Sequence, residues 1–126
     1  MQPNAEQFTE NAWNAILSAQ FLAKERKHQN IETEHLFKAL SEEDDLTKQI
    51  LTNSGCSLVI LKNSIETFLA SQPKLQSNPE SIYIGTSFNG ILEEANEQKK
   101  TYGDSFISVE HLLIAQPAII VVVRNY

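Results

Sequence analysis

The sequence is poor in the residues that would specify a disulfide scaffold, a basic surface or a membrane span. Cys56 is the single cysteine among 126 residues, so no intrachain disulfide can form and we expect a reducing, cytoplasmic environment. Ten basic and sixteen acidic side chains give a net charge of −6, which argues against nucleic acid because phosphates attract basic surfaces. The apolar run Ala118–Val123 is far shorter than the roughly 20 residues that cross a bilayer.

The motifs of common catalytic and cofactor sites are also missing. The chain has no Gly-x-x-x-x-Gly-Lys-Ser/Thr loop for nucleotide phosphates and no dinucleotide-binding fingerprint. The acidic segment Ser41–Asp45 lacks the central glycine and distal glutamate of an EF-hand calcium loop, so we interpret it as a solvated loop that runs into a helix. We therefore predict a protein that is not an enzyme and holds no cofactor.

An internal repeat is the strongest feature present. The segment Ile31-Glu-Thr-Glu-His-Leu-Phe37 returns 76 positions later as Ile107-Ser-Val-Glu-His-Leu-Leu113. The same offset matches the preceding amphipathic segments, pairing Ile16 with Leu92, Ala19 with Ala95 and Lys24 with Lys100. A duplicated unit predicts a pseudo-twofold domain.

Apolar spacing and capping residues predict an all-α fold of about six helices without a sheet core. Thr9 is expected to cap the first helix, with Phe8 packing on Trp13 as a hydrophobic staple. The other expected elements are a helix at about Thr33–Leu40, one ending at Gly55, one capped by Ser57, a short extended piece at Ile82–Ile84, a helix at about Ser87–Tyr102 stopped by Gly103, and one capped by Ser108 and ended by Pro117.

The paired Glu34-His35 and Glu110-His111 allow two interpretations. In the first, each pair lies in the first turn of a helix, where Glu favours the dipole and His packs or bonds to a loop. In the second, His35 and His111 converge with nearby carboxylates on a metal, as in a small metal-dependent hydrolase. Zinc helices of that class carry two histidines four residues apart, whereas each helix here carries one, so we favour the structural interpretation.

Several segments resemble the N-terminal repeat domain of the AAA+ Clp chaperones. Each of these segments is similar to the ClpB disaggregase type of that domain. They are Phe8-Thr-Glu-Asn-Ala-Trp13, Lys27–His35, Gln72-Pro-Lys74 and Tyr102–Leu113. The resemblance predicts a flexible N-terminus at 1–7, a Clp repeat domain at 8–116 and a divergent apolar tail at 117–126. Within the domain, repeat one spans 8–70, a connector 71–86 and repeat two 87–116.

The resemblance implies a non-catalytic module of protein quality control and the stress response. Such a module engages unfolded or aggregated polypeptide, or an adaptor protein, and it has no ATPase activity of its own. Family residues implicated in that engagement correspond here to Thr9, Asp104 and Glu110. Each of the three also has a structural role as a helix cap or turn former.

The second repeat departs from the family after its Glu-His pair. Only Leu112–Tyr126 follows, and Gln116–Tyr126 does not resemble the family. We expect that the gene was interrupted near Gln116, which leaves a free-standing domain or an inactive remnant. Exposed apolar surface on an incomplete repeat favours self-association, so a structural helical oligomer is the alternative to polypeptide binding.

Overall fold

The computed structural model describes residues 2–53, 55 and 57–116 of the chain. Within these residues it contains a short 3-10 helix, six α-helices and two very short strands. They are the 3-10 helix Ala5–Gln7, α1 Glu10–Glu25, β1 Asn30–Ile31, α2 Thr33–Glu43, α3 Asp45–Asn53, α4 Leu58–Ser71, β2 Tyr83–Ile84, α5 Thr86–Thr101 and α6 Val109–Ile114. The predicted all-α class is confirmed, and the extended piece predicted around Tyr83 is β2.

Two short backbone pairings join the repeats to each other. In the parallel pair of β1 with β2, Ile31 lies opposite Ile84. A separate parallel bridge joins Phe8 to Ile107. At the 76-residue offset Phe8 corresponds to Ile84 and Ile31 to Ile107, so each pairing is the counterpart of the other. The chain entering the first helix of one repeat therefore pairs with the chain entering the second helix of the other.

The hydrogen bonds of these pairings obey the same symmetry. Thr9 N–H donates to the Ile107 carbonyl at 2.9 Å, and Gly85 N–H donates to the Ile31 carbonyl at 2.9 Å. Thr9 and Gly85 are themselves counterparts at the 76-residue offset. The pseudo-twofold arrangement predicted from the repeat is thus confirmed down to individual backbone bonds.

One apolar core is shared by both repeats and a second belongs to repeat one. Alanines on α1 (Ala12, Ala19 and Ala23) are fully buried, and such small side chains let neighbouring helices approach closely. The larger members of this shared core include Leu36, Leu40, Phe88, Leu92, Ile107 and Leu112. The second core lies among α2, α3 and α4 and contains Phe37, Leu51, Leu61, Ile65 and Leu69.

Local capping confirms several helix boundaries. Thr9 Oγ1 accepts from Ala12 N–H at 3.3 Å, and the rings of Phe8 and Trp13 stack with centroids 5.7 Å apart. Ser57 Oγ accepts from Ile60 N–H at 3.3 Å. Gly55 and Gly103 take φ values of 80° and 71° after α3 and α5, a left-handed conformation that glycine adopts without strain.

The end of α2 was predicted wrongly. We expected a helix to about Leu40 and an acidic loop over Ser41–Asp45, but the helix continues to Glu43. Ser41 is buried and its hydroxyl donates to the Lys38 carbonyl at 3.0 Å, which lets a polar residue occupy the core side of the last turn. Asp44 then caps α3, because its carboxylate accepts from Thr47 N–H at 2.8 Å.

The apolar tail expected at 117–126 lies outside the described residues. None of the helices in the described part of the chain combines the length and hydrophobicity that a membrane-spanning segment requires.

Candidate functional site

Two of the three candidate residues, Thr9 and Glu110, lie at the starts of α1 and α6, and Asp104 lies in the turn after α5. The hydrogen bond from Thr9 N–H to the Ile107 carbonyl holds these two starts together. Thr9 is half-buried and its hydroxyl is engaged as the cap of α1. Its position thus explains its capping role.

Asp104 presents a carboxylate that a histidine holds in place. It lies in the turn after Gly103, where its N–H donates to the Lys99 carbonyl at 3.0 Å. Its Oδ2 lies 2.9 Å from His111 Nε2, and its side chain remains 53% exposed. The carboxylate is therefore oriented by the protein and open to solvent at the same time.

His111 occupies the third position of α6 and closes a capping box. Its Nδ1 accepts from Ser108 N–H at 2.8 Å, and its own N–H donates to Ser108 Oγ at 3.4 Å. Because Nδ1 is an acceptor, the ring proton sits on Nε2 in the neutral form and is donated to Asp104. His111 thus links the start of α6 to the turn that follows α5.

Glu110 projects from the first turn of α6 into solvent. No ion pair engages it among the residues that the structure describes, and a carboxylate in this turn interacts favourably with the helix dipole. Glu110 and Asp104 are thus two exposed carboxylates on the second repeat. Such groups can accept hydrogen bonds from backbone N–H groups or from ammonium and guanidinium groups.

The first repeat does not reproduce this site. The counterparts of Thr9, Asp104 and Glu110 are Gly85, His28 and Glu34. A Cβ atom at Gly85 would lie 2.7 Å from a carboxylate oxygen of Glu32 and 2.8 Å from the Ile31 carbonyl, so the position excludes threonine. Glu34 is half-buried, and burial raises the pKa of its carboxyl.

A buried histidine pair replaces the exposed carboxylate in the first repeat. His35 Nδ1 accepts from Glu32 N–H at 2.8 Å, and its Nε2 therefore donates to His28 Nδ1 at 2.9 Å. Both rings are almost fully buried. Burial, with the charges of His28 and Arg26 adding to it, lowers the pKa of His35 to about 4. The first repeat therefore carries a buried histidine pair at the position where the second carries the exposed Asp104 carboxylate.

The metal interpretation receives no support from this geometry. His35 and His111 do not meet on the pseudo-twofold axis, since each is bonded within its own repeat through both ring nitrogens. No cluster of three or more His, Cys, Asp or Glu side chains suited to a metal occurs in the described ranges.

Sequence reasoning overlooked two features of the site region. His28 matches Asp104 in the repeat, and both lie seven residues before a histidine, which was a signal for the buried pair. The exposed apolar residues Leu17 and Phe21 on α1 were also missed. Their signal was equally present, because the offset replaces them with Glu93 and Glu97.

Comparison with solved structures shows which known domains share this duplicated fold. The N-terminal domain of Hsp104 from Candida albicans superposes with a TM-score of 0.79 at 24% identity, covering 87% of this chain and 73% of that one. The N-terminal domain of the ClpV1 ATPase from E. coli gives a TM-score of 0.73 at 26% identity, with 87% and 67% covered. The fold is that of Clp-type N-terminal domains.

Residues 7–118 match the family model of the Clp repeat (R) N-terminal domain, and the chain belongs to that family. The chaperone protein ClpB 1 of Thermosynechococcus vestitus is 46% identical over 116 residues, which cover 91% of this chain and 13% of the relative. That of Synechococcus elongatus is 45% identical over 118 residues, or 93% of this chain and 14% of the relative. The chain therefore spans about one seventh of the length of these relatives.

Proposed function

We propose that this chain is a non-catalytic module that binds unfolded or aggregated polypeptide, or an adaptor protein, in cytoplasmic protein quality control. Its membership of the Clp repeat family, with ClpB chaperones as relatives at 45–46% identity, is the observation that carries the proposal. The activities of those much longer relatives, including any that consume ATP, are not part of it.

The proposed contact site is on the second repeat. Asp104 and Glu110 supply exposed carboxylates, and Thr9 ties the start of α1 to Ile107, which lies between them in the chain. His111 prepares the site by orienting the Asp104 carboxylate before a partner arrives, which lowers the entropy that binding must overcome.

Binding of a permanently unfolded protein tests the proposal. Reduced, carboxymethylated lactalbumin carrying a fluorescent label is titrated with the chain, and anisotropy is measured at low and moderate salt. Saturable binding is expected, and it should weaken severalfold in an Asp104→Asn/Glu110→Gln double variant because two acceptor charges are removed.

The matched control is an Asp45→Asn/Glu80→Gln variant, which removes the same charge from exposed sites elsewhere. It should bind as the wild type does. Equal weakening in both variants would mean that net charge, rather than this site, governs binding. A wild-type chain without saturable binding would contradict the proposed function itself.

A second candidate function is self-association through apolar residues of the second repeat. Tyr102, Phe106 and Ile114 are exposed near the end of α5, in the following loop and on α6. Exposed apolar residues of this kind favour interfaces. Sedimentation velocity over a hundredfold concentration range tests it: a dimer that binds no unfolded protein favours the structural role, and a monomer at all concentrations excludes it.

A further inference from the structure

An open groove with an apolar wall runs between α1 and α2, away from the Asp104 site. Leu17 and Phe21 lie one helical turn apart on α1 and are 43% and 68% exposed. Lys38, Ala39 and Glu42 form the facing wall on α2, and the groove encloses about 440 Å³. Apolar side chains that adjoin one another on a concave surface mark interaction sites more often than apolar side chains exposed singly.

The repeat itself shows that folding does not require these apolar residues. The positions of Leu17, Ser18 and Phe21 correspond to Glu93, Glu94 and Glu97 on α5. Those three glutamates line a comparable depression of about 510 Å³ on the second repeat. The same backbone position in the same fold therefore accepts charged side chains, so the exposed Leu17 and Phe21 need another explanation.

The charges around the groove favour a basic occupant. Glu25, Glu42 and Glu43 lie along it. The single cation, Lys38, is already neutralised by ion pairs to Glu42 at 2.6 Å and Glu66 at 2.9 Å. No ion pair engages Glu25 or Glu43 within the described part of the chain, and the net charge of −6 reinforces their field.

We propose that the groove between α1 and α2 binds polypeptide segments in which large apolar side chains stand next to Lys or Arg. Leu17 and Phe21 contact the apolar side chains, and Glu25 and Glu43 pair with the basic ones. The inference rests on the proposed polypeptide-binding function and adds to it a second surface and a class of preferred segment.

Three labelled twelve-residue peptides test the preference by fluorescence anisotropy. The first alternates Leu or Phe with Lys, the second has the same apolar residues with Glu, and the third combines Lys with Ser. The first is expected to bind about tenfold or more tightly than either of the others, since it alone meets both the apolar wall and the carboxylates. Its affinity should fall with added salt, because the rim charges are exposed.

Variants locate the binding surface. Phe21→Ser is expected to weaken binding of the first peptide about tenfold, the effect of losing one buried aromatic contact. Val59→Ser is the control and should leave binding unchanged, because Val59 is 69% exposed on α4 and does not line the groove. Thermal melts are expected to show that both variants stay folded, since both substitutions are at exposed positions.

A second pair of variants addresses the charges. In Glu25→Gln/Glu43→Gln, the affinities for the Lys and Glu peptides should become more similar. The apolar contact with Leu17 and Phe21 should persist. Glu94→Gln/Glu97→Gln removes the same charge from the depression on α5 and should leave the affinity difference between the two peptides unchanged. In NMR spectra, amide shifts on adding the first peptide should concentrate at residues 17–25 and 38–43.

The outcomes distinguish failure of the groove proposal from failure of the proposed function. If the wild type binds unfolded lactalbumin but Phe21→Ser binds the first peptide unchanged, the groove proposal is overturned and the proposed function stands. Equal affinity for the Lys and Glu peptides overturns the charge preference. If the wild type binds neither the lactalbumin nor any peptide, the proposed function fails and the groove proposal fails with it.

Discussion

Acidification should destabilise this protein through the buried His28–His35 pair. His35 is fully buried and both of its ring nitrogens are used, one as an acceptor from Glu32 N–H and the other as a donor to His28. A proton added to Nδ1 would face the Glu32 N–H and break that hydrogen bond. Burial is the main reason that the pKa of His35 falls from 6.5 to about 4.

The direction of the effect follows from where protons bind. An unfolded chain takes up a proton on His35 near pH 6.5, whereas the folded chain does so only near pH 4. Between these values the unfolded state binds more protons, so the free energy of unfolding decreases as the pH falls. The full shift corresponds to about 3 kcal/mol, of which roughly 2 kcal/mol is lost between pH 7.5 and pH 5.

Neighbouring groups modify this loss. Burial, with the charges of Arg26 and Lys74 adding to it, lowers the pKa of His28 and so increases the loss. Burial also raises the pKa values of Glu32 and Glu34, which makes the folded state take up protons first and opposes the loss near pH 5. A variant that removes only the titration of His35 is therefore needed.

His35→Gln is that variant, measured by urea unfolding with circular dichroism at pH 7.5 and pH 5. Glutamine is an established third residue of a capping box, and its amide can accept from Glu32 N–H and donate to His28 without titrating. The variant should lose about 1–2 kcal/mol less than the wild type over this interval. Thr9→Ala is the control, since it removes a helix cap without touching a titrating group, and it should keep the wild-type loss. Equal losses in wild type and His35→Gln would refute the reasoning.

Further predictions concern the backbone and the shared core. Gly85→Ala should destabilise the fold, because its Cβ would meet the Glu32 carboxylate at 2.7 Å. Gly90→Ala should stabilise the fold by about 0.5–1 kcal/mol, because Gly90 faces open space within α5. Thermal melts of the two variants compare these effects directly. Ala19→Leu should cost about 1–3 kcal/mol by overpacking a fully buried position, and an unchanged urea midpoint would contradict this. Thr9→Ala should cost about 1 kcal/mol by removing the cap of α1, and Thr9→Ser should restore most of it.

Features set by residues within one helical turn were predictable. Thr9 and Ser57 cap their helices as expected, and Gly103 ends α5 in the left-handed conformation. The end of α2 was not predictable in the same way. Ser41 and the glutamates after it have the composition of a loop, but burial of Ser41 against the rest of the fold keeps that turn helical.

The candidate site was likewise predictable only in part. Asp104 and Glu110 came from the family resemblance, and their role as contact residues remains a proposal. That Asp104 is oriented by His111, and that His28 and His35 form a buried pair instead, depends on which loop folds against which helix. The shared seven-residue spacing showed that His28 corresponds to Asp104. It did not show that either side chain contacts the histidine that follows it.

The sequence by itself determined the duplication, the helical class and most helix boundaries, because periodicity and capping act within a few residues. Only the tertiary structure decided that Phe8 pairs with Ile107 and Ile31 with Ile84, since two-residue strands have no signal for a partner so far along the chain. It also decided that Phe21 stays exposed. An amphipathic helix shows which residues share a face, but which face is buried depends on the helices that pack against it.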